Sequence, residues 1–83
     1  MFKILLAEGN VQLRTLIKAL IETRKDFTVC GEANDSVEAI SKTVNLKPDL
    51  VILDFAMGGL NGLQVATQLS KTFPALPIIL HAF

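Results

Sequence analysis

The sequence predicts an α/β fold in three layers, a parallel sheet with helices on both of its faces. Short apolar runs at Lys3 to Ala7, Leu50 to Leu53 and Pro77 to Leu80 have the length and character of strands buried on both faces. Between them lie longer segments whose apolar residues recur at helical spacing. Strands separated throughout by helices need crossover connections. Such connections are right-handed and give a parallel sheet.

The first strand, Lys3 to Ala7, runs into the turn Glu8-Gly9-Asn10, where Asn10 can cap the next element. From Val11 to Thr23 the residues Leu13, Leu16, Ile17, Leu20 and Ile21 form one helical stripe. Gln12, Arg14, Lys18 and Glu22 face water, and Arg24 and Lys25 put cations in the last turn, where the helix dipole favours them. Phe27 to Cys30 reads as a second strand closed by Gly31. Asp35-Ser36-Val37-Glu38 has the form of a capping box, and Val37, Ile40 and Val44 are expected to be the buried face of the helix it opens. Lys47-Pro48-Asp49 ends that helix. Leu50 to Leu53 is a third strand ending at Asp54, and the glycine-rich stretch Phe55 to Gly62 must be a loop. Leu63, Val65, Ala66 and Leu69 set a third helical stripe, ended near Phe73-Pro74, and Pro77 opens the fourth strand.

Composition narrows the classes of function. A chain of 83 residues allows one domain, and 51% hydrophobic with 19% charged residues excludes a disordered chain. The net charge is zero, with no cluster of Lys and Arg to bind nucleic acid. Phe2, Phe27, Phe55, Phe73 and Phe83 are dispersed, which suits packing at the core or its rim rather than base stacking. Cys30 is the lone cysteine and reads as a small buried hydrophobe, so a reducing cytosol is the expected compartment. The apolar start is too short for a signal peptide or a membrane span.

In open parallel sheets, ligands bind beyond the carboxyl ends of the strands, where the strand order reverses. With a flavodoxin-like order 2-1-3-4, strands one and three are neighbours there and carry Glu8 and Asp54 to a crevice rimmed by the loop Gly58 to Gly62. A carboxylate so placed can bind a hard cation such as Mg²⁺. It can also attack a phosphoryl group. Spacing alone leaves open a plainer reading, in which Asp54 ends a strand and starts a turn.

Three segments resemble the receiver domain of two-component response regulators: Lys3-Ile4-Leu5-Leu6-Ala7-Glu8, Pro48-Asp49-Leu50-Val51-Ile52-Leu53-Asp54, and Met57 with Asn61-Gly62-Leu63. The most specific part is a strand-ending Asp with Met three residues on and Gly eight residues on. The resemblance covers residues 1–83 as part of one receiver domain. It implies that Asp54 accepts a phosphoryl group from a histidine kinase or phosphotransfer protein. It also implies that Glu8, Asp54 and the backbone carbonyl of Ala56 hold Mg²⁺, and that Met57, His81 and Ala82 lie at the phosphate and switch pocket. The first helix is often part of the docking surface for the kinase, which gives Leu13, Arg14 and Ile17 a possible role beside that of solvated helix residues.

The departures matter as much. Receivers usually end their first strand in two acids, and here the second position is Gly9, so Mg²⁺ binding is expected to be weak. Gly58 stands where Pro is usual, which should loosen the loop. Ala82 falls where a Thr or Ser hydroxyl normally contacts the phosphoryl group. The fourth helix, fifth strand and fifth helix of a receiver, with the pocket's Lys, have no counterpart in the 83 residues. The open edge of the fourth strand, with Ile78, Ile79 and Leu80 partly uncovered, is expected to favour self-association or poor stability. These departures keep a second function in view: a phosphate-independent pseudo-receiver acting as a protein-interaction module. An enzyme is not expected. Phosphatases of the haloacid-dehalogenase type need a second Asp two residues after the nucleophile, a position held here by Ala56. The Gly-rich turn of a nucleotide-binding fold is missing after the first strand.

Overall fold

In the computed structural model, which describes residues 1–82, strands and helices alternate along the whole chain. They are β1 (Phe2–Ala7), α1 (Val11–Ile21), β2 (Phe27–Ala33), α2 (Ser36–Leu46), β3 (Leu50–Asp54), α3 (Gly62–Thr72) and β4 (Ile78–His81). The four strands form one parallel sheet in the order β2-β1-β3-β4, the flavodoxin-like order expected. The packing expected of Phe83 concerns a residue outside those described.

Side chains alternate across a strand, and that parity assigns the two faces. Leu5 and Ala7 of β1 and Val51 and Leu53 of β3 are buried with Ala33, Ala39, Met57, Val65 and Leu69 in one core cluster. This is the face covered by α2 and α3, which also pack on each other. Ile4 and Leu6 are equally buried on the other face, where α1 lies on β1 and β2. Cover on both sides explains why β1 reads as an unbroken apolar run, while β3 is buried on the α3 side and half-buried on the other.

The helices are placed by their ends. Asn10 caps α1 by accepting from the Leu13 N–H at 2.9 Å. Asp35 caps α2 by accepting from the Glu38 N–H. Glu38 reaches back one residue further than a capping box requires, to the Asn34 N–H. The reciprocal box is at α3, where Asn61 accepts from Gln64 N–H and the Gln64 side chain accepts from Asn61 N–H. Lys47 closes α2 in the left-handed conformation, at φ 49°.

Several expectations for the helices and β2 are corrected. β2 runs through Gly31 to Ala33, with a register shift opposite Ile4 and Leu5, because Gly31 sits in the strand rather than ending it. α1 stops at Ile21, and Arg24 lies beyond it, paired with Asp26 and stacked over the Phe27 ring. Leu16 and Leu20 of α1, Val37 and Val44 of α2 and Leu63 of α3 are exposed. The buried positions of α2 are instead Ser36, Ala39 and Thr43, and of the expected face only Ile40 packs against the core, half-buried. At Ser36 a small residue is required because the start of α2 is clamped to the β3–α3 loop. The Ser36 N–H donates to the Gly58 carbonyl, and the Ser36 hydroxyl oxygen accepts from the Leu60 N–H at 2.9 Å. The loop expected to be loose at Gly58 is thus tied to α2, with an isolated bridge between Asp35 and Gly58. Gly59 takes φ 85°, a left-handed conformation that a side chain would strain.

Candidate functional site at the carboxyl ends of β1, β3 and β4

The register of the sheet decides which side chains meet. Ala7 pairs with Leu53, so the next residues, Glu8 and Asp54, emerge side by side. Asp54 in turn pairs with His81 of β4. Glu8 shares the parity of Ile4 and Leu6, Asp54 that of Ile52, and His81 that of Ile79, so all three point to the α1 side of the sheet. Ligand atoms of Glu8, Asp54 and His81 lie within 4.8 Å of one another. The His81 Nε2 is 3.4 Å from the Glu8 Oε1.

Both carboxylates are buried, with Glu8 2% and Asp54 8% exposed. Backbone N–H groups donate to both. The Asn10 N–H donates to Glu8 Oε2 at 3.0 Å, and the Ala56 N–H donates to Asp54 Oδ1 at 3.2 Å. Glu8 Oε1 accepts no hydrogen bond among the described residues. The end of β1 is held from below: Glu8 N–H donates to the Ala33 carbonyl, and Arg14 donates to the Glu8 carbonyl at 2.7 Å. Arg14 also pairs with Glu32 at 3.0 Å and bonds Asn34. It is therefore a nearly buried tie between α1, β1 and β2, rather than a solvated helix charge. Lys18, on the same side of α1, reaches Glu32 at 3.4 Å.

Burial holds the Glu8 carboxyl above its ordinary range, and the adjacent Asp54 adds to that effect. The Asn10 N–H and the charge of His81 pull the other way. The folded protein therefore holds this proton more tightly than the unfolded chain, whose glutamate titrates near about 4.3. Stabilisation from the proton is complete below that pH and is lost as the pH rises through the raised value. In metal-free buffer, Glu8→Gln is expected to gain stability over the wild type as the pH rises from about 4 to about 7. Urea denaturation at the two pH values checks this; a gap that closes on going to neutral pH would contradict it.

The other residues singled out in the sequence are not brought to the same point. Met57 is buried in the apolar cluster beneath α2 and α3. Ala56 is exposed and contacts Asp54 through its own N–H. Ala82 is exposed and lies just past β4, with parity opposite to that of Asp54. Cys30 is half-buried on the edge strand β2. A separate concavity of about 490 Å³ lies at the opposite end of the sheet, between Thr43, Pro48, Phe73 and Pro77. Its acid, Asp49, already accepts from the Lys3 N–H at 2.7 Å, so size does not make that cavity the chemical site.

Glu8 and Asp54 supply the oxygen donors that a hard divalent cation needs, and the bare Glu8 Oε1 points into the cluster, so the residues fit such an ion. A parallel sheet of this order, with buried acids at the switch point between β1 and β3, is a flavodoxin-like fold with an acidic site at its carboxyl edge. Residues 4–82 match the family model of the response regulator receiver domain, and the chain belongs to that family.

Among its relatives, the response regulator protein VraR of Staphylococcus aureus is 32% identical over 78 residues, covering 94% of this chain and 37% of VraR. The chain thus spans little more than a third of the curated relatives it matches. The response regulator domain of CheB from Thermotoga maritima superimposes with a TM-score of 0.92 at 28% identity, over 99% of this chain and 60% of that one. The response regulator protein TrrA of the same organism, solved in complex with Mg²⁺-BeF, gives a TM-score of 0.92 at 32% identity, over 99% of this chain and 70% of that one. No helix among the described residues is long and apolar enough to cross a membrane.

Proposed function

We propose that this domain accepts a phosphoryl group on Asp54 from a histidine kinase or phosphotransfer protein and passes the signal to an output domain or partner. The observation that carries this reading is the buried pair Glu8 and Asp54, side by side at the carboxyl ends of β1 and β3. The Asp54 carboxylate attacks the phosphorus of the donor phosphohistidine. A new P–O bond forms as the P–N bond breaks, and the departing imidazole keeps the electron pair and takes a proton from solvent. The Ala56 N–H orients the carboxylate through Oδ1. Glu8, Asp54 and the Ala56 carbonyl would hold Mg²⁺, whose positive charge offsets that of the phosphoryl oxygens. With Gly9 in place of a second acid, that binding is weak. The domain serves as acceptor and switch rather than as an enzyme, and its place of action is the cytoplasm.

Acetyl phosphate with Mg²⁺ tests the reading. The wild type should gain the mass of one phosphoryl group and Asp54→Asn none; equal gain in both, or none in the wild type, would sink it. A second reading, the pseudo-receiver, is favoured by the His81 imidazole standing beside Glu8 where a phosphoryl pocket would need room. It requires no saturable Mg²⁺ binding and no phosphoryl uptake. We further propose that the 83-residue chain pairs with a second copy through the outer edge of β4, where Ile79 and Leu80 are exposed. Sedimentation of a strictly monomeric species at high concentration would dismiss that pairing.

A further inference from the structure

Glu8, Asp54 and His81 combine two carboxylates with one imidazole, and this donor set differs from the all-oxygen set the receiver family uses for Mg²⁺. We propose that the pocket is a mixed nitrogen–oxygen site that takes a borderline divalent transition-metal ion, in the series from Mn²⁺ to Zn²⁺, in preference to Mg²⁺. The inference deepens the receiver reading of this same site and rests on it.

The geometry is close to what three ligands of one ion require. Two donors each about 2.1 Å from an ion can be at most about 4.2 Å apart. The three ligand atoms lie within 4.8 Å of one another, and the Glu8–His81 edge is already 3.4 Å. Three evenly spaced donors, each about 2.1 Å from one ion, stand at most about 3.6 Å apart, so a side-chain rotation at Asp54 or His81 that shortens the longest edge by up to about an ångström closes the triangle. The donors are also fixed. Glu8 is held through the Asn10 N–H and through the Arg14 bond to its carbonyl, and Asp54 through the Ala56 N–H. The backbone of His81 is placed by the pairing of β3 with β4, and its side chain supplies the adjustment. Glu8 Oε1, buried and accepting no hydrogen bond, faces the imidazole across the gap an ion would fill.

The chemistry of the donors sets the selectivity. Mg²⁺ dehydrates reluctantly and prefers oxygen. Affinity of such a nitrogen–oxygen site rises from Mn²⁺ through Co²⁺ to Ni²⁺, and imidazole suits these ions and Zn²⁺ better than it suits any hard cation. Gly9 removes the acid that would supply another oxygen, and His81 adds a nitrogen on the neighbouring strand. The exchange shifts the site from hard toward borderline ions.

His81 is the single histidine of the chain, so any nitrogen-ligand signal from tag-free protein is its own. Pulsed electron paramagnetic resonance of bound Mn²⁺ should show modulation from an imidazole nitrogen in the wild type. Calorimetry should show Co²⁺ bound more tightly than Mg²⁺, and His81→Gln should weaken Co²⁺ by at least about tenfold with little change for Mg²⁺. Absence of nitrogen modulation in the wild type overturns the inference, as does Co²⁺ affinity indifferent to His81. An equal loss for both ions in His81→Gln also overturns it, because that loss reports a damaged fold. If His81→Gln does not fold, the wild-type modulation alone decides. Phosphoryl uptake by the wild type in Mg²⁺ is scored separately: uptake without nitrogen ligation rejects this inference and keeps the receiver reading, and nitrogen ligation without uptake does the reverse.

Discussion

Gly62→Ala is expected to damage both the fold and the site. A Cβ added at Gly62 would lie 2.5 Å from the Asp54 carbonyl oxygen and 2.8 Å from the Phe55 Cα. Both are backbone atoms, flanked by the Gly62 N–H bond to the Phe55 carbonyl at 2.7 Å and the Phe55 N–H bond to the His81 carbonyl. Neither can step aside as a flexible side chain would. Overpacking of this kind costs about 1–3 kcal/mol, and here the strain falls on the segment that carries Asp54. The melting temperature should drop and phosphoryl uptake from acetyl phosphate should slow in the same variant. Gly58→Ala is the control. Its Cβ would meet only the Asp35 Cβ, at 3.8 Å, so its stability should change by no more than about 0.5 kcal/mol. Equal behaviour of the two variants would mean that the close approach at Gly62 is not what this position needs.

Leu53→Ala should be the more destructive change. Leu53 is fully buried on the central strand β3, in the cluster with Leu5, Val51, Val65 and Leu69. Removing it costs the transfer energy of the lost methyl groups plus the cavity left behind, about 2–5 kcal/mol. A native domain has about 5–15 kcal/mol in total. In a domain of this size each kcal/mol lowers the melting temperature by about 4–8 °C, so a fall of at least about 8 °C is expected. Leu63→Ala, on the exposed side of α3, should shift it by a small fraction of that. Circular dichroism melts of the two variants give the comparison; a Leu53→Ala melt within the error of the wild type would contradict the core described here.

The strand pattern was the most legible part of this sequence. The continuous apolar runs at β1 and β3 mark central strands, buried on both faces in β1 and on one face with the other half-buried in β3. The positions of Glu8 and Asp54 followed from it, since each is the first acid after such a run. The helical faces were less legible. An apolar stripe says which residues favour burial, not how close the next element comes. In α2 the small residues Ser36, Ala39 and Thr43 take the buried positions, Ser36 against the β3–α3 loop, while Val37 and Val44 stay outside. Arg14 looked like a surface charge because its three partners, Glu8, Glu32 and Asn34, come from the ends of other elements.

His81 is the instructive case. Counting along β4 toward the family's hydroxyl position leads to Ala82 and leaves His81 one residue away. The register of neighbouring strands carries the missing signal. If Val51 stands beside Ile78, then Asp54 stands beside His81, and two residues paired across parallel strands share a face. A histidine three residues after the first β4 residue was thus available as a neighbour of Asp54, once the first pair was known.

The central claim is that Asp54, at the mouth it shares with Glu8, is the residue that takes the phosphoryl group. Borohydride reduction of the protein after acetyl phosphate treatment converts an aspartyl phosphate to homoserine, and peptide mass mapping then locates it. The account predicts conversion at Asp54 alone. Conversion at Asp35 or Asp49, or an unmodified peptide spanning Leu50 to Gly62 in protein that has gained phosphate, would contradict it.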